Sequence, residues 1–270
     1  MSTSSWRYAS SSVIGTSHKK AGKTCQDFSE CVLLPTENGD MVLVAVASDG
    51  AGSAKCSELG SELACSLFVD EMRAFIECGN EIKQLTREFF EEWLIRFQHE
   101  VTVRADGLGF IPRDFACTFL AAVLSNDCAA FAQIGDGAIV TDNPEEPDTY
   151  TWVFWPQQGE YENTTYFATD INVNKALQFD LYVGRTSNEI AVFTDGLQRL
   201  ALHYQTQSVH SPFFRSFFTA LRTQEESFSL QYNNSLMTFL DSTTINERTD
   251  DDKTLILASR RSIPSHKNDL

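Results

Sequence analysis

The chain has 270 residues, 42% of them hydrophobic, and carries 37 acidic against 21 basic side chains for a formal net charge of −16. That length suits one large domain or two small ones, and the apolar fraction suffices for a substantial core, which argues against a disordered chain. The acidic balance argues against nucleic acid and anionic membrane as partners, since each requires a cationic face.

The N-terminal run MSTSSWRYASSS lacks an apolar h-region. No later stretch approaches the roughly eighteen continuous apolar residues that cross a bilayer, so no membrane association is expected. From Tyr8 to Ile14 a mixed polar and apolar run reads as a strand, followed by the strands DFSECVLL and MVLVAVAS. Thr36-Glu37-Asn38-Gly39-Asp40 lies between those two, and its Asn-Gly is a hairpin signal. After Gly52 the period changes. Leu59, Leu63, Leu67, Met72 and Phe75 recur at helical spacing in SELGSELACSLFVDEMRAFIEC, and Leu85, Phe89, Trp93 and Phe97 do so in EIKQLTREFFEEWLIRFQHEV. Gly79-Asn80 is the break between these two helices.

Strands return at FACTFLAAVLS, CAAFAQIG and AIVTD, then come the turn NPEEPD and the run TWVFW. Residues 157 to 184 are poorly periodic and read as an irregular flap. The strand EIAVFT leads into a helical stretch from Gly196 to Leu240, and TLILAS closes the chain's ordered pattern. Strands, two helices, strands, helices and a last strand suggest two packed sheets with helices outside them. The seven cysteines (25, 31, 56, 65, 78, 117 and 128) include no Cys-x-x-Cys pair, and several sit inside apolar runs. They read as reduced, buried thiols in a cytoplasmic protein.

Acidic residues mark the strand ends. MVLVAVAS ends in Asp49-Gly50, CAAFAQIG in Asp136-Gly137 and EIAVFT in Asp195-Gly196, while Asp250-Asp251-Asp252 stands just before TLILA. Any one Asp-Gly pair is an ordinary turn signal, and Asp106-Gly107 is read as only that. The recurrence, together with Asp27 in CQDF, points instead to carboxylates meeting at one place, where they repel unless a cation neutralises them. A donor set made only of oxygens favours Mg²⁺ or Mn²⁺ over zinc.

In this order, the blocks TCQDF, SDGAGS, CTFLAA with IGDGA, FTDGL and DDKTLIL resemble those of the metal-dependent protein phosphatases of the protein phosphatase 2C family, in a bacterial-type form. The resemblance implies an α+β fold: a four-layer α/β/β/α sandwich of two antiparallel sheets flanked by helices. One catalytic domain would span residues 1–260, with a polar tail at 261–270. It further implies two or three Mn²⁺ or Mg²⁺ ions. Asp49 would bridge two of them, the Gly50 carbonyl would hold one, and Asp195 and Asp251 would complete the other. Asp27 would bind through water, and Asp136 would help hold a third ion. The implied activity is hydrolysis of phosphoserine and phosphothreonine in proteins by a water that the ions activate. The partners are then phosphorylated proteins and a cognate serine/threonine kinase.

This chain departs from the family pattern at two places. The usual phosphate-gripping Arg five residues before Asp27 is Gly22 here, so Lys23 beside it, or His18 and Lys19 just upstream, are the candidate substitutes. A lysine offers a point charge where arginine offers a two-pronged fork. Ala51 occupies the position of a common proton-donating His, which leaves His18 as a candidate donor. A binding module without turnover is the alternative reading, motivated by the missing Arg. A thiol nucleophile is unsupported, because no cysteine has Arg six residues later. A minor alternative is a nucleotide hydrolase, since SHKKAGKT from Ser17 to Thr24 is one residue short of a P-loop, although CQDFSECVLLP after it reads as a strand rather than a helix. Gly50-Ala51-Gly52 begins a dinucleotide-type fingerprint but has Lys55 at its third glycine.

Overall fold

A computed structural model of the chain describes residues 5–158 and 165–261. In chain order the main elements are β1 (Arg7–Val13), α1 (Thr16–Ala21), β2 (Phe28–Pro35), β3 (Met41–Ser48), α2 (Ser57–Glu77), α3 (Arg87–Leu108), β4 (Phe119–Leu124), β5 (Cys128–Ile134), β6 (Ala138–Asp142) and β7 (Tyr150–Trp152). They continue with β8 (Gln178–Val183), β9 (Glu189–Phe193), α4 (Gln198–Ala201), β10 (Leu202–His203), β11 (Ser208–Val209), α5 (Ser211–Arg222), α6 (Leu230–Leu240), α7 (Thr243–Asn246) and β12 (Lys253–Ser259).

Two five-stranded antiparallel sheets result, ordered β1-β12-β9-β6-β7 and β2-β3-β4-β5-β8, with β10 and β11 forming a separate small hairpin. Successive strand residues face opposite sides of a sheet, and this explains how runs that look uniformly apolar serve two interfaces. On β3, Leu43, Ala45 and Ala47 join Ile190 and Val192 of β9 and Ile256 and Ala258 of β12 in the layer between the sheets. Val42, Val44 and Val46 face the other way, into a cluster with Phe68 and Met72 of α2 and Phe90, Trp93 and Phe97 of α3. On the opposite flank, Ala191, Phe193, Leu255 and Leu257 pack against Phe214, Phe218 and Leu221 of α5 and Leu236 and Leu240 of α6. The layers are therefore helix, sheet, sheet, helix, as the resemblance implied.

Four local expectations are corrected. Asp106-Gly107 is no turn: α3 runs through both and ends at Gly109, whose φ of 74° provides the left-handed cap. The second long helix begins at Arg87 rather than Glu81, because Ile82–Gln84 forms a separate 3₁₀ turn. Within the supposed flap, Gln178–Val183 is a strand paired with β5, and residues 159–164 lie outside the described set. Thr16–Ala21, to which the sequence pattern assigned no element, is a short helix. That helix also removes the P-loop reading. Gly22 is its C-terminal cap, so Gly-Lys-Thr follows a helix end rich in carbonyls instead of preceding one rich in N–H groups. The tail expected at 261–270 is described only at Arg261. Among the described residues no helix is long and apolar enough to cross a membrane.

Candidate metal centre

The strand register places the acidic segments at one end of the sandwich. Phe28 at the start of β2 pairs with Ser48 at the end of β3. Phe193 at the end of β9 pairs with Ala138 at the start of β6 and with Leu255 near the start of β12. Asp27, Asp49, Asp136, Asp195 and Asp251 all lie just beyond these ends, which is why residues so distant in sequence become neighbours.

Asp49, Asp136 and Asp195 each offer a carboxylate oxygen within 4.8 Å of the other two. All three protonate more readily than usual. Burial, followed by the charges of Asp195, Asp27, Asp136 and Asp251, pushes Asp49 well up. Burial, then Asp136 and Asp251, pushes Asp195 up to about 7. Asp136 is raised mainly by burial, with Asp251 adding to it. Asp27 is buried and accepts hydrogen bonds through Oδ2 from the hydroxyls of Thr194 at 2.7 Å and Thr254 at 2.8 Å. Burial outweighs those bonds, and with Asp252 and Asp195 nearby its pKa rises to about 8.

The two adjacent carboxylates of the acidic triplet do different things. Asp252 is buried and accepts backbone N–H groups from Gly15 and Gln26, each at 2.6 Å, while His18 Nδ1 lies 2.9 Å from its Oδ2. Its charge thus ties α1 and the approach to β2 onto β12. Asp251 instead lines a cleft of about 800 Å³ together with Asp136 and Asp195. The glycine after each acid is needed for close packing. A Cβ on Gly196 would stand 1.9 Å from the Asp252 carbonyl oxygen, and one on Gly50 would stand 2.6 Å from that of Gln26. The loop carrying Asp136 is braced by Gln157, whose Oε1 accepts the Gly135 N–H at 2.7 Å.

The donor set fits a hard divalent cation. It consists of oxygens alone, its carboxylates crowd one another, and among the described residues Asp136 Oδ1 is buried without a hydrogen-bond partner. The candidates upstream sit elsewhere. Lys23 is exposed and donates from Nζ to the Gly52 carbonyl at 2.6 Å, His18 is buried beside Asp252, and neither lines the cleft. Lys19 is paired with Asp241. Sequence reasoning missed Gln198, Arg199 and Tyr204, which do line the cleft. The available signal was the four-residue spacing from Asp195 to Arg199, one turn of the helical run that follows the strand.

Comparison with known proteins places these features in company. The family model described as Protein phosphatase 2C matches residues 14–241. Serine/threonine-protein phosphatase 3 of Escherichia coli (strain K12) is 37% identical over 259 residues, covering 94% of this chain and 98% of that protein. The solved structure of serine/threonine phosphatase Stp1 from Staphylococcus aureus superposes with a TM-score of 0.58 at 16% identity, over 94% of this chain and 95% of that one. The catalytic domain of the serine threonine protein phosphatase PstP, solved in complex with 2 manganese ions, gives 0.56 at 12% identity, over 94% and 97%. At these identities the solved structures establish the shared fold.

Proposed function

The chain belongs to the protein phosphatase 2C family and is a metal-dependent phosphoprotein phosphatase; from that premise we propose that its cleft hydrolyses phosphoserine and phosphothreonine in proteins, with Asp27, Asp49, Gly50, Asp136, Asp195 and Asp251 holding two or three Mn²⁺ or Mg²⁺ ions. The observation that carries this assignment is the meeting of Asp49, Asp136 and Asp195, from three separate strand ends, within 4.8 Å. Asp49 lies at the centre of the set, since Asp195, Asp27, Asp136 and Asp251 all bear on its charge. It would be shared between two ions, with the Gly50 carbonyl, Asp195 and Asp251 as further oxygen donors that would hold them. Asp27, whose Oδ2 is already engaged by two hydroxyls, acts through water. Asp136 serves an outer ion.

Bound ions supply Lewis acidity toward a water and toward the phosphoryl oxygens. The chain's own part is to hold the carboxylates fixed and close together, and bound cations would keep them deprotonated against their raised pKa values. Thr194 and Thr254 orient Asp27, and the Thr118 hydroxyl accepts the Asp49 N–H at 2.9 Å. No protein nucleophile is called for. Burial, followed by Asp27 and Asp252, raises the pKa of Cys25, the cysteine nearest the acids in sequence, so it stays a thiol. The catalytic domain is assigned residues 1–260. Seven unpaired cysteines support a reducing, cytoplasmic setting, in which a cognate serine/threonine kinase makes the substrate and this enzyme removes the signal.

The test is phosphate release from phosphothreonine and phosphoserine peptides by the wild type, Asp49→Asn and Asp136→Asn. The wild type turns over both peptides, Asp49→Asn loses about a hundredfold or more, and Asp136→Asn loses distinctly less, the first carboxylate being shared by two ions. Wild-type activity in folded Asp49→Asn contradicts the assignment.

A further inference from the structure

A phosphatase of this kind needs a cation for the substrate's phosphate, and the first block offers none that faces the cleft. Position 22 is a glycine in the left-handed conformation, φ 67°, and the Lys23 ammonium is held by the Gly52 carbonyl. The cleft itself contains two guanidinium groups, those of Arg199 and Arg248. Arg248 lines the cleft from the segment of Glu247 and Asp250, apart from the run that carries Asp195. Arg199 is exposed, and among the described residues it forms no ion pair or side-chain hydrogen bond.

Arg199 stands one helical turn beyond Asp195, in the run of Asp195–Leu197 and α4. That run is fastened over the acids on both sides. Gln198 Nε2 donates to the Asp136 backbone carbonyl, and Gln198 Oε1 accepts the Tyr204 hydroxyl at 2.5 Å. Tyr204 lies between β10 and β11, with its ring set edge-on to Trp155 at 5.3 Å between centroids. Tyr204 lines the cleft with Arg199, Asp136 and Asp195. Its pKa is pushed up to about 12, first by burial and then by Asp136 and Asp195, with Arg199 pulling the other way. Arg199 thus lines one cleft together with two of the acids. A planar guanidinium with no partner among the described residues suits two oxygens of a phosphate, which it binds in a fork.

We propose that Arg199 is the substrate-phosphate-binding residue of this chain, entering from the wall beyond Asp195 instead of from the first block, and that Gln198 and Tyr204 position it. This rests on the phosphatase reading above. Arg199→Ala raises KM for a phosphothreonine peptide about tenfold or more and raises the inhibition constant of inorganic phosphate in step, while kcat changes less. Arg199→Lys recovers part of the loss. Tyr204→Phe weakens phosphate inhibition by a smaller factor. Because Arg199 is exposed, its variants melt as the wild type does.

The deciding measurement is calorimetric titration of inorganic phosphate onto the Mn²⁺-loaded protein, which needs no turnover. Phosphate binding at least about tenfold weaker in Arg199→Ala than in the wild type supports the role, and equal binding overturns it. A wild type that binds phosphate but releases none from phosphopeptides overturns the phosphatase reading instead, and the comparison between the two proteins still decides the arginine.

Discussion

Asp49, Asp136 and Asp195 are nearer to one another than like charges tolerate at neutral pH, and that tension makes a pH dependence measurable without any assay of turnover. In the unfolded chain an Asp ionises near 3.8, whereas in the fold Asp195 is pushed up to about 7 and Asp27 to about 8, burial being the largest cause for both. Between those values the folded protein keeps protons that the unfolded chain has released. Stability of the metal-free protein therefore falls as pH rises from about 4 to about 8. The lowered carboxylates Asp148 and Asp241 act in the opposite sense, but their contribution is complete in more acidic solution. Metal-free protein is expected to melt at a lower temperature at pH 8 than at pH 5.5, and Mn²⁺ to raise the melting temperature more at pH 8. Thermal denaturation in the presence and absence of chelator checks this, and a metal-free melting temperature that climbs over the same interval contradicts it. At this scale the acids were legible in the sequence because Asp49, Asp136 and Asp195 end apolar runs and Asp27 and Asp251 stand just before others. Arg199 was not, since its bearing on the site depends on how far one helical turn carries it over carboxylates from other strands.

The elements deliver those residues by close backbone approach. Asp195-Gly196 meets the lead into β12 so tightly that a Cβ at 196 would stand 1.9 Å from the Asp252 carbonyl oxygen. Gly196→Ala must displace either the Asp195 turn or the Asp251-Asp252 segment. The expected result is a lower melting temperature together with loss of phosphatase activity and of Mn²⁺ binding. A variant matching the wild type in all three would mean that the two segments are not held against each other. The same element scale shows where sequence patterns mislead. Asp106-Gly107 looks like a turn, but the apolar positions Phe97, Val101 and Ala105 keep helical spacing up to it and carry α3 through. β8 was missed although Phe179, Leu181 and Val183 alternate with Gln178, Asp180 and Tyr182, because the run is six residues long within an otherwise aperiodic segment and forms an edge strand with no fully buried residue. α1 lacked a pattern because six residues are too few to display one; it is fixed from outside, by Gly15 and His18 against Asp252.

For the whole molecule, the four layers were legible from the order of elements, and their reason is visible in β3, β9 and β12, whose alternate residues feed two different cores. Stacking two antiparallel sheets in this register brings the ends of β3, β5 and β9 and the starts of β2, β6 and β12 to one end of the sandwich. Carboxylates from several strand ends crowd there in a cleft that calls for cations before it can admit a phosphate. Metal dependence of phosphopeptide hydrolysis tests that account most directly. Chelated, metal-free protein is titrated with Mn²⁺ while bound ion and phosphate release from a phosphothreonine peptide are recorded in the same sample. The expected outcome is no hydrolysis without metal and full recovery as at least two ions bind per chain. Undiminished hydrolysis by exhaustively chelated protein would contradict it.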